Sequence, residues 1–279
     1  MILIKHIKNL QETLANFRSQ GKTTGFVPTM GALHEGHISL VNKCNSENDI
    51  SIVSIFVNPT QFNNKADLEK YPVTIEADTD KLEKANCDIL FLPSVAEMYP
   101  EGEINKHYDL GFIETVLEGK YRPGHFQGVC IIVDKLLNAV QPHNLYMGRK
   151  DYQQCMVVKK MLELTHSKVK LHVEDTVREP DGLAMSSRNL RLNKEERQTA
   201  LRIIEALQMI REKIAQGDLQ NVKQHSVAFL EKYGYKTDYV EIADALTLEP
   251  KDHWDGKEKL VALVAAYLNE VRLIDNILL

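Results

Sequence analysis

Cysteine is scarce: Cys44, Cys87, Cys130 and Cys155 are the only four in 279 residues, with no CxxC pair and no Cys/His cluster at zinc-ligand spacing. That excludes a disulfide scaffold and leaves reduced, buried thiols as the expected state. A catalytic thiol needs a lowered pKa, and nothing around these four supplies one. Long apolar runs are also missing. No stretch approaches the roughly 18 residues that a membrane span requires, and MILIKHIKNLQETL lacks a signal peptide's apolar run and cleavage site. Basic charge is not in excess either: 34 Lys and Arg against 39 Asp and Glu leave a net charge of -5. A general nucleic-acid or membrane-surface binder is therefore disfavoured. A cytoplasmic protein with neither kind of partner is expected.

What is present is ordinary globular composition, with 43% hydrophobic and 26% charged residues. At this length two domains are expected. Up to about residue 175, short β-rich runs alternate with amphipathic segments of helical length, the pattern of a parallel sheet covered by helices. Strands are predicted at about Thr23 to Thr29, Ile50 to Val57, Ile89 to Leu92, Asn144 to Met147 and Lys170 to Val173. Helices are predicted at about Gly36 to Asn48, Thr74 to Asn86, Pro123 to Val140 and Tyr152 to Leu164. Beyond a turn-rich loop at 178–189, a long helix from about Asn193 through Ile210 and short strands at Tyr239 to Ile242 and Lys259 to Leu268 suggest a smaller α+β unit. The expected boundary lies at 176/177. In a doubly wound sheet the ligand site lies beyond the carboxyl ends of the strands. PTMGALHEGH, VNPTQF and GRKDYQQ each follow a predicted strand and would face one crevice.

His34 and His37 stand in HEGH at the start of a predicted helix, where free N–H groups and the helix dipole favour an anion. Phosphate donors are the leading reading, with plain structural histidines next. A metal pair comes last, since the HExxH spacing and an evident third ligand are absent. Lys150 in GRKD can meet a phosphate as a point charge, or be solvated surface. Asp151 and Gln154 beside it suit a sugar or polyol, or serve as helix capping and surface polarity. Gln61 and Asn58 follow the second predicted strand in VNPTQF, where Pro59 forces a turn, as substrate readers or as turn stabilisers. Ser186, Ser187 and Arg188 suit the outer phosphates of a nucleotide, against a solvated loop. No GxxxxGK[ST] loop or GxSxG elbow is present, so a P-loop site and that kind of serine nucleophile are disfavoured.

Taken together, PTMGALHEGH, VNPTQF, RPGHFQGV, GRKDYQQ, REPDGLAMSSRN and the late RLIDN resemble the pantoate-β-alanine ligase family of the nucleotidyltransferase superfamily, in one order from Pro28 to Asn276. The resemblance implies a Rossmann-like doubly wound parallel sheet over 1–176 and a smaller C-terminal α+β lid domain over 177–279. It implies that ATP and (R)-pantoate form pantoyl adenylate and pyrophosphate with Mg2+, and that β-alanine then releases AMP and pantothenate, a step toward coenzyme A. By the same resemblance His34, His37, Lys150, Ser186, Ser187 and Arg188 are catalytic. Together with Met30, Gly36, Gly148, Asp151, Val177 and Met185 they bind ATP, while Met30, Phe56, Gln61, Val129, Ile132, Val133 and Gln154 hold pantoate. Asp78 matches an acidic position that can help to place Mg2+, and a homodimer is implied.

Three positions depart from the family's commonest pattern: Arg149 replaces a glutamate, Val73 an arginine and Ile131 a threonine. Arg149 is expected to be exposed, because adjacent residues of a helix face different ways. Two rival readings are another HxGH nucleotidyltransferase, which would not pair VNPTQF with KDYQQ, and a non-catalytic nucleotide- or tRNA-binding module.

Overall fold

The computed structural model describes residues 1–62, 68–100 and 106–279. Six strands build one parallel sheet: β1 (Ile2–Ile4), β2 (Thr24–Thr29), β3 (Ile50–Ile55), β4 (Ile89–Phe91), β5 (Asn144–Gly148) and β6 (Lys170–Glu174), in spatial order β1-β4-β3-β2-β5-β6. All pairings are parallel. The doubly wound reading holds, with α1 (Ile7–Ser19), α2 (Glu35–Glu47), α3 (Ile75–Lys84), α4 (His125–Val140) and α5 (Tyr152–Leu164) as its principal helices. Strand alternation explains the two layers, because successive side chains point to opposite faces. Phe26, Ile52, Ile89, Phe91 and Leu145 join α1, α4 and α5 in one core, whereas Val27, Val53, Leu90 and Tyr146 join α2 and α3 in the other. β3 is buried at every position, as a strand covered on both faces must be.

The chain winds outward from β2 to β3 and β4, then returns to lay β5 on the other side of β2. Pairing between β2 and β5 ends at Phe26↔Leu145, while β2 stays paired with β3 through Thr29↔Ile55. Pro28 has no N–H to offer a ladder, so the two central strands part just where the topology switches. The first crevice wall is thus set by strand order and one proline.

The C-terminal part carries α6 (Arg202–Lys213), β7 (Gly217–Asp218), α7 (Gln220–Lys232), β8 (Tyr235–Asp244), β9 (His253–Trp254), β10 (Leu260–Leu268) and β11 (Val271–Leu278). Its main sheet is antiparallel in the order β11-β10-β8. Leu260, Ala262, Val264, Ala266 and Leu268 of β10 pack with α6 and α7, and Val261 and Leu263 meet Leu117 and Tyr152 of the first part.

One expectation needed correction, and several elements were not foreseen. The N-terminus forms edge strand β1 on β4 before α1 begins. The helix from Asn193 is interrupted: Lys194–Thr199 opens with a reciprocal cap between Asn193 and Glu196, and α6 restarts at Arg202. β11 and α7 were not anticipated. Three of the eight residues of β11 are polar, Arg272, Asp275 and Asn276, yet Asp275 and Asn276 are buried.

Glu118 carries much of the contact between the two parts. Both its oxygens accept from Arg272 at 2.7 Å, and Tyr239 donates to one of them at 2.9 Å. Arg272 also reaches Asp238 at 2.8 Å. Burial pushes Glu118 up, but Arg272 outweighs it and holds the carboxyl below its ordinary 4.5. The stability this pair contributes is therefore present above that value and fades as pH falls through the lowered one. Arg272→Met, which strands the buried carboxylate, should cost about 3–5 kcal/mol in urea unfolding at pH 7. A loss below about 1 kcal/mol would mean that the pair behaves as a surface ion pair.

Candidate active site

The crevice at the carboxyl ends of β2 and β5 is lined by every site residue expected from the sequence except Asp78. After β2 the chain turns through Gly31, at φ +83, and Ala32, at φ 50. A side chain at Gly31 would be strained at that φ and would crowd Asp78 and Ile55, each 3.1 Å from its Cβ. Asp78, in α3, grips this turn: its carboxylate accepts from the amides of Ala32 at 2.9 Å and Leu33 at 2.7 Å, and from the Thr74 hydroxyl at 3.1 Å. It is fully buried. Its oxygens serve the turn, and it is not part of the crevice wall.

That turn delivers His34 and His37 to the N-terminus of α2. His34 is its N-cap, with Nδ1 accepting from the Gly36 amide at 3.2 Å, while Nδ1 of His37 accepts from the His34 amide at 3.3 Å. Because both Nδ1 atoms are acceptors, the proton of each neutral ring sits on Nε2. Burial lowers His34 from 6.5 to about 4, helped by Lys150. Burial and then His34 itself lower His37 to about 3. The rings lie 4.1 Å apart, and a Cβ on Gly36 would come within 2.9 Å of the His34 ring. Glycine there lets that imidazole lie flat against the helix start.

After β5, Arg149–Asp151 forms a short 3-10 turn that leads into α5. Lys150 has its side chain 15% exposed, with Asp151 its nearest carboxylate at 3.7 Å. Arg149 is not exposed as expected. It is part-buried and paired with Asp175, which itself lines the crevice. Of the two glutamines in KDYQQ, Gln153 is consumed internally: it accepts from the Glu118 amide and donates to the Ile113 and Val116 carbonyls. Gln154 lines the crevice.

Gln61 follows β3 in a turn capped by Asn58. Asn58 donates to Gln61 Oε1 at 3.2 Å and to the Gly128 carbonyl at 3.1 Å, and it accepts from the Tyr99 hydroxyl at 2.7 Å. Gln61 Nε2 lies 2.9 Å from Met30 sulfur, a weak acceptor. His125 Nδ1 donates to the Gln61 carbonyl at 2.8 Å, the opposite tautomer from His34 and His37. A Cβ on Gly128 would meet the Thr60 carbonyl at 2.5 Å, so the glycine of RPGHFQGV is what lets α4 approach this turn. Met30, Phe56, Val129, Ile132 and Val133 form the apolar side of the same chamber.

The opposite wall is the 178–189 loop. Arg178 bridges to Ala184, and Met185 donates to Val177 at 3.0 Å, so the loop is a narrow hairpin. Ser186 caps the turn at Ser187–Arg191, accepting from the Arg188 amide at 3.3 Å, and Tyr71 lies 3.4 Å from the Ser187 hydroxyl. Tyr71, Arg122 and His125 line the crevice as well. The sequence pattern singled out none of these three as site residues, and the sole signal for Tyr71 was its place before Pro72. The four cysteines are buried and free. Burial pushes Cys44 to about 12, Cys87 to about 11 and Cys130 to about 12, and Cys155 also goes up, which rules out a thiolate nucleophile at neutral pH.

A model of the pantoate-β-alanine ligase family matches residues 2–278. The chain belongs to that family. It is 45% identical over 278 residues to pantothenate synthetase of Bacteroides fragilis, covering 99% of this chain and 98% of that one. To pantothenate synthetase of Thermotoga petrophila it is 45% identical over 282 residues, with both chains fully covered. Among solved structures, pantothenate synthetase of Thermus thermophilus aligns with a TM-score of 0.92 at 39% identity over 99% of both chains. Pantoate-β-alanine ligase of Francisella tularensis, complexed with β-γ ATP and β-alanine, aligns with a TM-score of 0.79 at 39% identity, over 100% of this chain and 97% of that one. The crevice lining combines charged residues, Lys150, Arg122 and Arg188, with apolar ones, Met30, Phe56, Val129, Ile132 and Val133.

The depressed histidine pKa values make a spectroscopic prediction. At pH 7 both imidazoles should give nitrogen chemical shifts of the neutral Nε2–H tautomer, with titration only near pH 4 for His34 and pH 3 for His37. Midpoints near 6.5, as in solvent, would show that the rings are not shielded from water at the start of α2.

Proposed function

We propose that this chain joins (R)-pantoate to β-alanine at the expense of ATP, through a pantoyl adenylate held in the crevice between β2, β5 and the 178–189 loop. The observation that carries the reading is the arrangement of donors. Two neutral imidazoles with outward Nε2–H groups, a shielded lysine, two hydroxyls and a guanidinium surround one space beside an apolar chamber edged by two amides.

In the first step a pantoate oxygen attacks the α-phosphorus and the bond to the β-phosphate oxygen breaks, so negative charge gathers on the departing pyrophosphate. Catalysis there is mainly positioning and electrostatic stabilisation. His34 and His37 suit donation to phosphate oxygens rather than proton abstraction, since their lowered pKa values make them weak bases. Lys150 supplies a point charge, and Ser186, Ser187 and Arg188 receive the outer phosphates. Gly148 and Asp151 take the ribose, while Gly36, Val177 and Met185 flank the adenine. Gln61, its oxygen occupied by Asn58, offers Nε2–H to pantoate, and Gln154 faces it. Met30, Phe56, Val129, Ile132 and Val133 enclose the geminal methyls. In the second step the β-alanine amine attacks the acyl carbon and AMP leaves with the carboxylate oxygen, so no protein nucleophile is required.

Mg2+ fits this site as a companion of the nucleotide. Among the described residues no group of three or more His, Cys, Asp or Glu could hold a metal ion, and Asp78 is committed to its turn. Magnesium ordinarily keeps waters and binds through phosphates with one or two carboxylates. Asp151 is the crevice carboxylate nearest Lys150, and when bound the ion would neutralise phosphate charge.

The reading also takes residues 1–176 as the binding body and 177–279 as a lid unit, with a homodimer in the cytoplasm. Separate cores on either side of the boundary support the division. No helix among the described residues is long and apolar enough to cross a membrane.

The reading is tested by isotope exchange between pyrophosphate and ATP with β-alanine omitted. Exchange should require pantoate and fall about 10²–10³-fold in Lys150→Ala. Folded, ATP-binding protein without exchange would defeat the adenylate route. A second expectation concerns the lid: Arg178→Ala should loosen the loop and raise AMP release above pantothenate formation, as water reaches the adenylate. Strict one-to-one stoichiometry in that variant would count against a gate.

A further inference from the structure

The RLIDN stretch in β11 is given no task by the chemistry above, yet it touches both phosphate-facing segments. β11 is an edge strand, so one side of it is available to other elements. From that strand, Asn276 Nδ2 donates to the carbonyl of Arg149 at 2.9 Å and to that of Lys150 at 2.8 Å. Its neighbour Asp275 takes Arg178 in a two-pronged ion pair at 2.6 and 3.0 Å, and Arg178 also donates to the Gly182 carbonyl at 3.1 Å. Asp275 and Asn276 are 4% and 3% exposed. One dipeptide thus holds the turn that carries Lys150 and the root of the loop that carries Ser186 to Arg188.

We propose that Asn276 is a positioning residue for Lys150, acting through the two carbonyls that flank the Lys150 α-carbon. The inference rests on the reading that Lys150 meets phosphate. Both Nδ2 hydrogens bond consecutive carbonyls, which fixes the orientation of the intervening peptide. The Lys150 side chain is long and has several rotatable bonds, so its ammonium is placed only as well as its α-carbon is. A misplacement of about 1 Å in a charge-stabilising group can cost about 10²-fold in rate.

The alternative is a cohesive contact that merely holds the C-terminal sheet to the body. The asparagine oxygen argues against it: Oδ1 is buried and has no partner among the described residues. A buried acceptor without a donor keeps its full desolvation penalty. An apolar side chain of similar volume would serve cohesion without that penalty. What asparagine adds is the pair of donors aimed at the Lys150 turn.

The test is a double-mutant cycle in pantoate-dependent pyrophosphate–ATP exchange, using the full-length wild type, Asn276→Leu, Lys150→Ala and the double variant. Asn276→Leu keeps the volume and removes the donors. It should lower the maximal exchange rate about 10²-fold and leave the KM for pantoate within about twofold, because Gln61 and Gln154 are untouched. In the Lys150→Ala background the same change should add no more than about twofold, since a residue that acts through the lysine has nothing left to position. A maximal rate for Asn276→Leu within about twofold of wild type would overturn the proposal, and so would losses that multiply in the double variant. Thermal unfolding of each variant is the control. If the leucine variant fails to fold, Asn276→Ser, which retains one hydroxyl donor, runs through the same cycle with the same criteria. Absence of exchange in the wild type would strike the adenylate reading itself, a different outcome from a normal wild type with a silent Asn276 variant.

Discussion

Two parallel strands that stop pairing at the centre of a sheet are the constraint on which the rest of this molecule depends. β2 and β5 are hydrogen-bonded only at Gly25↔Asn144 and Phe26↔Leu145, and then diverge. Everything downstream of each strand is thereby delivered to one gap: HEGH from β2, VNPTQF from neighbouring β3, and GRKDYQQ from β5. Had the chain continued outward in one direction, these segments would lie spread along the sheet edge, each too far from the others to meet a single phosphate chain. The reversal of strand order and the proline that has no amide to pair make the gap before any functional side chain is considered.

Into that gap the protein sets groups whose charge state comes from burial. A histidine beside a lysine and another histidine, shielded from water, is neutral at physiological pH, and the reciprocal cap at the start of α2 directs each proton outward on Nε2. Donors of this kind stabilise charge as it develops without first having to be neutralised. Asp78 works at the next remove. By absorbing the amides of Ala32 and Leu33 it holds the sharp turn that orients the helix, which is why this acidic residue is buried.

The C-terminal part is joined to the body by an apolar seam around Leu117, Tyr152, Val261 and Leu263, and by ion pairs from Glu118 and Arg178 that both end on β11 or its neighbours. Buried pairs of this sort add little net stability against an apolar substitute, but they enforce one geometry, because any other arrangement leaves a charge unpaired in low dielectric. A two-residue stretch near the chain terminus is therefore in register with turns more than ninety residues earlier.

The amino-acid sequence by itself determined the doubly wound fold and most helix and strand limits in the first 175 residues, since alternation of apolar residues and strand-terminal polar clusters are local properties of the chain, whereas the apolar and backbone lining of the crevice was implied only by the resemblance of its motifs to a family. Glycines with special positions, such as Gly31 and Gly36, were visible as letters, but what they make room for was not. The roles of Asp78, Gln153, Gly128 and Arg149, the break in the helix after Thr199 and the burial of Asp275 and Asn276 were decided only by tertiary structure. Each depends on a partner distant in sequence: a carboxylate looks the same in one dimension whether it meets an ion, an amide or water. Sequence pattern reports which residues must leave solvent or end an element, whereas the direction of a polar side chain and its pKa come from what the fold brings against it.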